Sequence, residues 1–474
     1  MINIPEYPSA REVFKFFAEI SDIPRGSGNT APIADYLMNF AKARGLSASR
    51  DAADNVVIRK PATAGYENRP TVIFQGHTDI VAEKAENVTI DMEKEGVRLL
   101  RDGDFLRADG TTLGGDDGVA LAYALAILDS KDIHHPDFEA VFTSDEEIGL
   151  LGATALDPSL IKGRLMINID SDEEGIFTVG CAGGLRADVS MPIKREGALG
   201  ECYTVSLSGL RGGHSGIEID KGRANAVKVL LELISRLGDV RIVSLSGGNA
   251  DNAIPRDAVA TVITAKAITE NKKLELSSYL STLAVGEEDA ALDISSAKAD
   301  ILPLDKDSSE RIISLVRSEP SGVIGMSTDI EGLVETSLNL GIARLTDKEF
   351  SLAFSLRSSK GAKKAELLEH ITAIAHEHGA TVSTRGAYPA WEYRKESHLR
   401  DVMCEVYEKM YGKAPKVVTI HAGLECGIFS DKLEGLDCVS IGPDNYDIHT
   451  PLEHLSIPST ARVWEYLVEV LKSI

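Results

Sequence analysis

Five short segments of the sequence combine histidine and carboxylate residues, the side chains that hold hydrolytic metal ions in proteins. The segments are QGHTDIVAE with His77 and Asp79, LGGDDG with Asp116 and Asp117, TSDEEIG with Glu146 and Glu147, INIDSDEEG with Asp170, and DNYDIHTP with His449. Any one of them alone would be typical of a solvated loop. Two histidines and three of these carboxylates form a donor set that suits two divalent ions. Three carboxylates and one hydroxide would balance the charge of two such ions.

The elements that precede these segments explain how they could meet. Apolar runs predict strands at 71–75, 138–144, 165–169 and 438–442, and each strand ends just before one of the segments. The Asp-Asp pair instead opens a buried helix predicted at 117–129. In open α/β sheets, sites form beyond the carboxyl ends of the strands, so the sequence predicts a metal site at that edge.

The rest of the chain predicts two domains, one of them inserted into the other. Helix and strand patterns alternate up to about residue 185 and again after 383, which favours an α/β layered fold. Between these points, half-exposed strands and long helices indicate a separate α+β domain. The further predicted elements are helices at 31–45 (with Thr30 as N-cap), 223–237, 362–378, 398–411 and 459–472, and strands at 202–210, 349–357 and 416–420.

Composition excludes several classes of protein. The 474 residues include 50 basic and 73 acidic side chains, a net charge of −23, which argues against nucleic acid or an anionic membrane as the main partner. The longest apolar run, Val119 to Leu128, is half of the roughly 20 residues that span a bilayer. The N-terminal residues do not have the pattern of a signal peptide. Five irregularly spaced cysteines without a CxxC pair indicate reduced thiols and a cytoplasmic protein.

Motifs along nearly the whole chain resemble those of a known family. They are GHTDIVAEK, LGGDDG, TSDEEIG, INIDSDEEG, RGGHSG, NAIPRD, HAGLECGIFSDK and IGPDNYDIHTP. The sequence resembles the aminoacyl-histidine dipeptidases, also called cytosol non-specific dipeptidases. They belong to the dinuclear zinc peptidases, with the carnosinases and carboxypeptidase G. The resemblance implies a mixed-sheet α/β catalytic domain formed by residues 1–185 and 384–474, with an α+β domain at 186–383 as lid and dimerisation domain.

The resemblance also implies roles for individual residues. The five metal ligands would be His77, Asp116, Glu147, Asp170 and His449, with Asp116 bridging two divalent ions, zinc or alternatively manganese or cobalt. His77 and Asp170 would complete the shell of one ion, and Glu147 and His449 that of the other. Glu146 would be the general base and acid, and Asp79 would orient His77. Aspartate at position 170, where the related deacylases more typically have glutamate, favours the dipeptidase and aminopeptidase side of the family.

Substrate contacts are expected from further motifs. By resemblance, His214 in RGGHSG would help to bind the scissile carbonyl oxygen, and Asn252 in NAIP would contact the substrate. Arg357 suits a free carboxylate because its planar fork can bind both oxygens. Glu425 in HAGLECG is a fourth candidate. Three of them have a structural alternative: a glycine turn with a surface histidine for His214, an ion pair for Arg357 and a structural role for Glu425.

The predicted function is hydrolysis of unblocked dipeptides, including Xaa-His, by a cytoplasmic enzyme that forms a homodimer through the inserted domain. One alternative is the same chemistry on another amide, as in an N-acyl amino acid deacylase, a carboxypeptidase or a tripeptide aminopeptidase. A second alternative, of another class, is a catalytically inactive metal-binding or scaffolding protein. The complete set of ligand types and Glu146 argue against this second alternative.

Overall fold

The computed structural model describes residues 4–474 and divides the chain into two compact units. The first unit contains the chain up to Cys181 together with Trp391–Thr419 and Leu424–Ile474, and the second contains Ala182–Ala390 with Ile420–Gly423. The chain therefore changes units at residues 181 and 390, where the sequence predicts boundaries at 185 and 383. The predicted return of residues 384–390 to the first unit does not occur, because strand Thr381–Tyr388 pairs with strand Gly183–Pro192 of the second unit.

The first segment of the first unit alternates helices and strands. Its helices are α1 (Arg11–Ser21), α2 (Ala31–Ala43), α3 (Gly115–Asp129) and α4 (Leu151–Ala155). Its strands are β1 (Ser47–Arg50), β2 (Val56–Lys60), β3 (Val72–His77), β4 (Leu99–Asp102), β5 (Phe105–Ala108), β6 (Phe138–Thr143), β7 (Leu165–Asn168) and β8 (Ile176–Cys181). Thr30 is the N-cap residue of α2, as predicted, but its side chain does not bond the helix backbone and its hydroxyl donates to Asp54 Oδ2 at 3.4 Å.

The second unit consists of one long antiparallel sheet, a small two-stranded sheet and four helices. Its strands are β9 (Gly183–Pro192), β10 (Glu201–Ser208), β11 (Gly213–His214), β12 (Val240–Gly247), β13 (Ala253–Ile254), β14 (Ala258–Thr264), β15 (Ala291–Ser296), β16 (Gly322–Met326), β17 (Val334–Leu345), β18 (Glu349–Ser358) and β19 (Thr381–Tyr388). Its helices are α5 (Ala226–Ser235), α6 (Glu270–Leu283), α7 (Lys306–Ser318) and α8 (Gly361–Glu377). The sheet order is β15-β10-β14-β12-β17-β18-β9-β19, and β16 pairs with β17.

The last segment returns to the first unit. It contributes helices α9 (His398–Tyr411), α10 (Glu425–Lys432) and α11 (Ile457–Ser473), and strands β20 (Lys416–Ile420), β21 (Asp437–Ser440), β22 (Asn445–Tyr446) and β23 (His454–Ser456). The main sheet of this unit has the order β1-β2-β6-β3-β7-β21-β8-β20. The mixed α/β architecture that the sequence predicts is therefore confirmed.

Four parallel strands at the middle of this sheet determine where a site can form. Strands β6, β3, β7 and β21 are neighbours and run in the same direction. All their residues are buried, which is why they are apolar runs without polar alternation. Their carboxyl ends lie at one edge, and the segments that follow these ends carry the candidate residues.

Helix α3 brings the Asp-Asp pair to the same region. The helix is apolar on every face, and its residues from Asp117 to Leu128 are all buried, as expected for a helix within the core. It packs against α1 and β3. Asp116 and Asp117 at its start have non-helical backbone angles, and the peptide bond between them is cis. Asp116 therefore lies before the regular helix, where its carboxylate is free to turn away from the helix axis.

No helix within residues 4–474 is long and apolar enough to cross a membrane. All five cysteines, Cys181, Cys202, Cys404, Cys426 and Cys438, are free thiols.

Candidate metal centre

The structure brings all five predicted metal ligands together at the carboxyl edge of the main sheet. His77 is the last residue of β3, Glu147 and Asp170 follow β6 and β7, and His449 lies beyond β21. The possible donor atoms form three groups whose members lie within 4.8 Å of one another. The groups are His77, Asp116 and Asp170; Asp116, Glu147 and His449; and His77, Glu146 and Glu147. Asp116 belongs to the first two groups, and a ligand that bridges two ions must belong to the donor sets of both.

The distances between donor atoms fit tetrahedral metal coordination. His77 Nε2 lies 2.9 Å from Asp116 Oδ1 and 3.7 Å from Asp170 Oδ1. His449 Nε2 lies 3.1 Å from Asp116 Oδ2, the other oxygen of the same carboxylate. Two ligands that are each about 2 Å from a tetrahedral zinc ion lie about 3.3 Å from each other. The observed distances lie on both sides of this value.

One buried atom has no hydrogen bond and fits a metal ligand. Glu147 Oε1 is buried and makes no hydrogen bond, although it lies 3.0 Å from His449 Nε2. A buried polar atom without a partner is costly unless another group satisfies it. A cation held between Glu147 and His449 would satisfy both atoms. The residues present therefore fit the divalent ions that the sequence implies.

Asp79 lies behind His77 and organises the loop that follows β6. His77 Nδ1 lies 3.0 Å from the backbone carbonyl oxygen of Asp79 and 3.5 Å from the carboxylate atom Oδ1. The carboxylate accepts hydrogen bonds from the backbone N–H groups of Glu146 and Glu147, at 3.0 and 3.3 Å, and from the Ser27 hydroxyl at 2.7 Å. The shorter contact of the His77 imidazole is therefore with the backbone carbonyl of Asp79. The sequence predicts instead that the Asp79 carboxylate orients the ring.

Burial and the neighbouring negative charges raise the pKa values of two acids of the site. Burial, followed by the charges of Glu425, Glu147 and Asp116, raises the pKa of Glu146 to about 8, although His77 opposes the shift. Burial and the neighbouring Asp117 also raise the pKa of Asp170. A bound cation would offset this cost, because it stabilises the ionised carboxylates.

Glu425, a predicted substrate contact, lies at the start of α10 and has no exposed surface. One carboxylate oxygen accepts hydrogen bonds from Gln75 Nε2 at 2.5 Å and from the Thr143 hydroxyl at 2.6 Å. The other oxygen is buried without a hydrogen bond. Burial raises the pKa of Glu425 to about 7, with His77 and these two hydrogen bonds opposing the shift. Glu425 therefore joins β3, β6 and α10 beneath the edge that carries the donors.

The other three predicted contacts all lie in the second unit. His214 on β11 and Asn252 line an open groove of about 840 Å³. The His214 Nδ1 atom accepts hydrogen bonds from the backbone N–H groups of Gly216 and Ile217, at 3.1 and 3.3 Å. Burial and the Arg357 charge lower the pKa of His214. The imidazole is therefore neutral, with its proton on Nε2 as a hydrogen-bond donor.

Arg357, at the end of β18, is 6% exposed and donates one hydrogen bond to the Tyr388 hydroxyl at 3.1 Å. Its Nε atom is buried without a hydrogen bond. His421 is also buried in this unit, and its Nε2 atom lies 2.7 Å from the Ser337 hydroxyl. Burial and Arg357 lower the pKa of His421 to about 4. The Arg357 guanidinium is buried, has a donor without a hydrogen bond, and makes no hydrogen bond to a carboxylate. Such a group is suited to an anionic ligand.

Two functional candidates, His421 and Glu453, were not predicted from the sequence. His421 is the first residue of HAGLECG, and Glu453 lies four residues after His449. Glu453 is buried and accepts hydrogen bonds from four consecutive backbone N–H groups, those of residues 113–116. The available signal was a histidine within a quoted motif and an acid two residues beyond another, but their partners are distant in sequence.

Known proteins match this chain over nearly all of its length. The model of peptidase family M20/M25/M40 matches residues 73–473. The cytosol non-specific dipeptidase of Escherichia coli (strain K12) is 36% identical over 475 residues, which cover 98% of this chain and 98% of that protein. The crystal structure of aminoacylhistidine dipeptidase from Vibrio alginolyticus is 34% identical with a TM-score of 0.92, and the match covers 98% of this chain and 97% of that chain.

A more distantly related solved structure has a similar fold. Aminopeptidase PepT from Bacillus cereus has a TM-score of 0.57 at 17% identity, with 98% of both chains covered. The fold, the family model and the full-length relatives agree. The chain belongs to peptidase family M20/M25/M40.

Proposed function

We propose that the protein is a dinuclear metallo-dipeptidase that hydrolyses unblocked dipeptides, Xaa-His among them. The observation that carries the proposal is the pair of donor groups that share the Asp116 carboxylate. The names of the Escherichia coli and Vibrio alginolyticus relatives support the dipeptide as substrate class. The name of the Escherichia coli relative supports a cytoplasmic location.

Five residues would hold the two ions. His77, Asp116 and Asp170 would bind one ion, and Asp116, Glu147 and His449 would bind the other. Histidine and carboxylate donors suit zinc, with manganese and cobalt as alternatives. When bound, such a pair of ions supplies Lewis acidity, which lowers the pKa of water toward 7 and polarises a carbonyl group.

Glu146 would carry the proton during hydrolysis. Its backbone N–H is fixed by Asp79, and its side chain lies within the group of donors around His77. Burial raises the pKa of Glu146 to about 8 without bound ions, and bound cations would lower that pKa, so that Glu146 would be a carboxylate ready to accept a proton. As a carboxylate Glu146 would take the proton from the attacking water, and as a carboxylic acid it would deliver that proton to the leaving amine.

His214 would stabilise the scissile carbonyl oxygen as negative charge develops on it. Its Nδ1 atom is occupied by two backbone donors, so that only the Nε2 proton is available to a substrate. A fixed neutral donor of this kind favours the transition state over the ground state. Asn252, which lines the same groove, would add a polar contact to the substrate.

The two ends of a dipeptide would be bound by groups of opposite charge. Arg357 would bind the free carboxylate through its fork of donors, and the acidic residues around the metal ligands would favour the free amine. Glu425 would contribute to this negative charge from beneath the site. Recognition of both ends would restrict the enzyme to short, unblocked peptides.

The protein would act as a homodimer formed through the second unit. Light scattering of the purified protein tests this assembly directly, because a dimer has twice the mass of the 50.9 kDa chain. Complementation between His214→Ala and Glu146→Ala chains then distinguishes two arrangements of the dimer. Recovered activity in the mixture means that His214 serves the partner subunit, and no recovery means that it serves its own chain.

Metal stoichiometry with a dipeptide assay tests the proposed function. Elemental analysis of carefully loaded protein should approach two ions per chain. Protein depleted of metal should lose hydrolysis of a dipeptide panel and regain it with zinc, manganese or cobalt. A stoichiometry that never exceeds one ion per chain would exclude the dinuclear site. Two bound ions without peptidase activity would instead support a metal-binding or scaffolding protein.

A further inference from the structure

The backbone that carries Asp116 is held on one side by a single buried carboxylate. Glu453 is 2% exposed, and its Oε2 atom accepts hydrogen bonds from the N–H groups of Leu113 and Gly114 at 2.7 and 2.9 Å. Its Oε1 atom accepts from the N–H groups of Gly115 and Asp116 at 2.9 and 3.3 Å. These donors lie at the start of α3, where N–H groups have no partners within the helix. One side chain, 337 residues away, thus satisfies all four.

A buried arginine holds the same backbone from its carbonyl side. Arg25 is 2% exposed, and its Nη2 atom donates to the carbonyl oxygen of Gly114 at 2.7 Å. Its Nη1 atom donates to the carbonyl oxygen of Thr78 at 2.9 Å. Thr78 lies between His77 and Asp79, so the guanidinium joins the segment that carries one metal ligand to the segment that carries another.

Two glycines of the LGGDDG motif are explained by this arginine. A Cβ atom on Gly118 would lie 2.5 Å from Arg25 Nη2, and one on Gly114 would lie 2.8 Å from the same atom. Gly114 also has a φ of +73°, a conformation that other residues rarely adopt. The motif therefore provides the space that the guanidinium needs as well as the Asp-Asp pair itself.

We propose that Arg25 and Glu453 are positioning residues of the metal centre, which hold residues 113–116 from opposite sides and thereby aim the Asp116 carboxylate at His77 and His449. The proposal rests on the proposed function, since it assigns Asp116 to both ions. Arg25 additionally links Asp116 and His77, because it binds the backbone two residues before Asp116 and one residue after His77. Neither residue is among the donors themselves.

The chemistry of the two side chains predicts which substitutions disturb this arrangement. Glutamine at position 453 keeps one acceptor oxygen and places an NH₂ group against backbone donors, so two N–H groups lose their partner. Lysine at position 25 keeps the charge, but a single compact ammonium group does not reproduce the planar fork that reaches two carbonyl oxygens. Both substitutions leave all five proposed ligands in the chain.

The test is zinc affinity of full-length variants, measured by competition with a chromophoric chelator. Glu453→Gln and Arg25→Lys should each bind zinc about 10–100-fold more weakly than wild type, as is typical when a residue that orients a ligand is lost. With saturating zinc, kcat for a dipeptide should fall while KM stays near the wild-type value. Thermal melting of the metal-free variants reports whether each chain is folded.

Glu139→Gln provides a matched control. Glu139 is also 2% exposed and its carboxylate also accepts backbone hydrogen bonds, from Lys162 at 3.0 Å and Gly163 at 2.9 Å. It lies near the start of β6, whereas the metal donors follow the end of that strand. The control variant should lose stability and retain zinc affinity. If Glu453→Gln does not fold, the zinc affinity of Arg25→Lys tests the proposal instead. Its control is Arg59→Lys, because Arg59 also donates hydrogen bonds to a backbone carbonyl and to Glu139.

The outcomes separate this proposal from the proposed function. If wild-type protein never binds two ions, the dinuclear function is wrong, whatever the variants do. If wild type binds two ions and the variants at Arg25 and Glu453 bind zinc as tightly as their controls, the positioning role is wrong and the function stands.

Discussion

Glu146 and Glu147 are adjacent in the chain, but their surroundings differ. Glu147 has a buried oxygen 3.0 Å from His449 Nε2 and shares its donor group with Asp116. Glu146 is not in that group, and burial raises its pKa to about 8. The first environment suits a metal ligand, and the second suits a carboxylate that accepts and returns a proton during hydrolysis. This difference leads to separate predictions for two otherwise equivalent truncations.

We expect Glu146→Ala to retain its metal ions and lose about 10²–10⁴-fold in kcat, the typical cost of removing a general base. Glu147→Ala should instead reduce the metal content of the protein. Elemental analysis and dipeptide kinetics on the two purified variants measure both effects. Equal loss of metal from both would show that the assignment of roles is wrong.

At the scale of secondary structure, the segments of the site could be predicted because each strand is indicated by a run of apolar residues next to the candidate residue. The apolar runs before His77, Glu146, Asp170 and His449 predict strands, and β3, β6, β7 and β21 lie where they were expected. The rule that sites form at the carboxyl ends of such strands then predicts their meeting point. The mixed α/β architecture followed from the same alternation of apolar runs.

Contacts between distant segments could not be predicted in the same way. Glu453 bonds a backbone segment 337 residues away, and His421 bonds a serine 84 residues away. Nothing in the local pattern around either residue specifies its partner. The boundary near residue 390 was missed for a similar reason, because β19 is assigned to the second unit by its pairing with β9.

The contact between the 420–423 segment and strand β17 should weaken in acid. His421 bonds Ser337 on β17, and burial with the Arg357 charge lowers the folded-state pKa of His421 to about 4. In the unfolded chain a histidine has a pKa near 6.5. Between these values only the unfolded chain binds the proton, so stability is complete above pH 6.5 and falls as the pH decreases toward 4. The difference corresponds to about 3 kcal/mol.

Urea unfolding of wild type and His421→Asn across pH 4–8 measures this effect. The wild-type protein should lose more stability than the variant between pH 7 and pH 4. At pH 8 histidine is neutral in both states, so the difference between the proteins there reports only lost packing and hydrogen bonding. Identical pH dependence in the two proteins would contradict the proposed burial of a neutral His421.

At the scale of the whole molecule, the candidate residues are divided between the two units. The donors and acids belong to the first unit, while His214, Arg357 and His421 belong to the second. The chain as a whole is strongly acidic, with a net charge of −23, and Arg357 is a buried cation within it. An unblocked dipeptide carries one charge of each sign, and the proposed function assigns its carboxylate to Arg357.

We therefore expect both ends of the substrate to matter more than its side chains. Amidation of the C-terminus of an Xaa-His dipeptide should reduce kcat/KM by roughly 30- to 4,000-fold, which corresponds to about 2–5 kcal/mol for an unpaired buried charge. N-acetylation should be similarly harmful. Changing one apolar side chain should cost less, because a methylene group in a pocket contributes only about 1–3 kcal/mol. Steady-state kinetics on the free, acetylated and amidated forms measures the difference.

Arg357→Ala connects this selectivity to one residue. The variant should lose activity on the free dipeptide and have nearly equal kcat/KM for the free and amidated forms, because neither form would then meet a cation. Arg186→Ala is the matched control, since Arg186 lies on the neighbouring strand β9 and is already paired with Asp251 at 2.8 Å. That control should retain the wild-type preference for the free carboxylate. Equal kcat/KM of the wild-type enzyme for free, acetylated and amidated forms would contradict recognition of both ends, and would favour a general amidohydrolase.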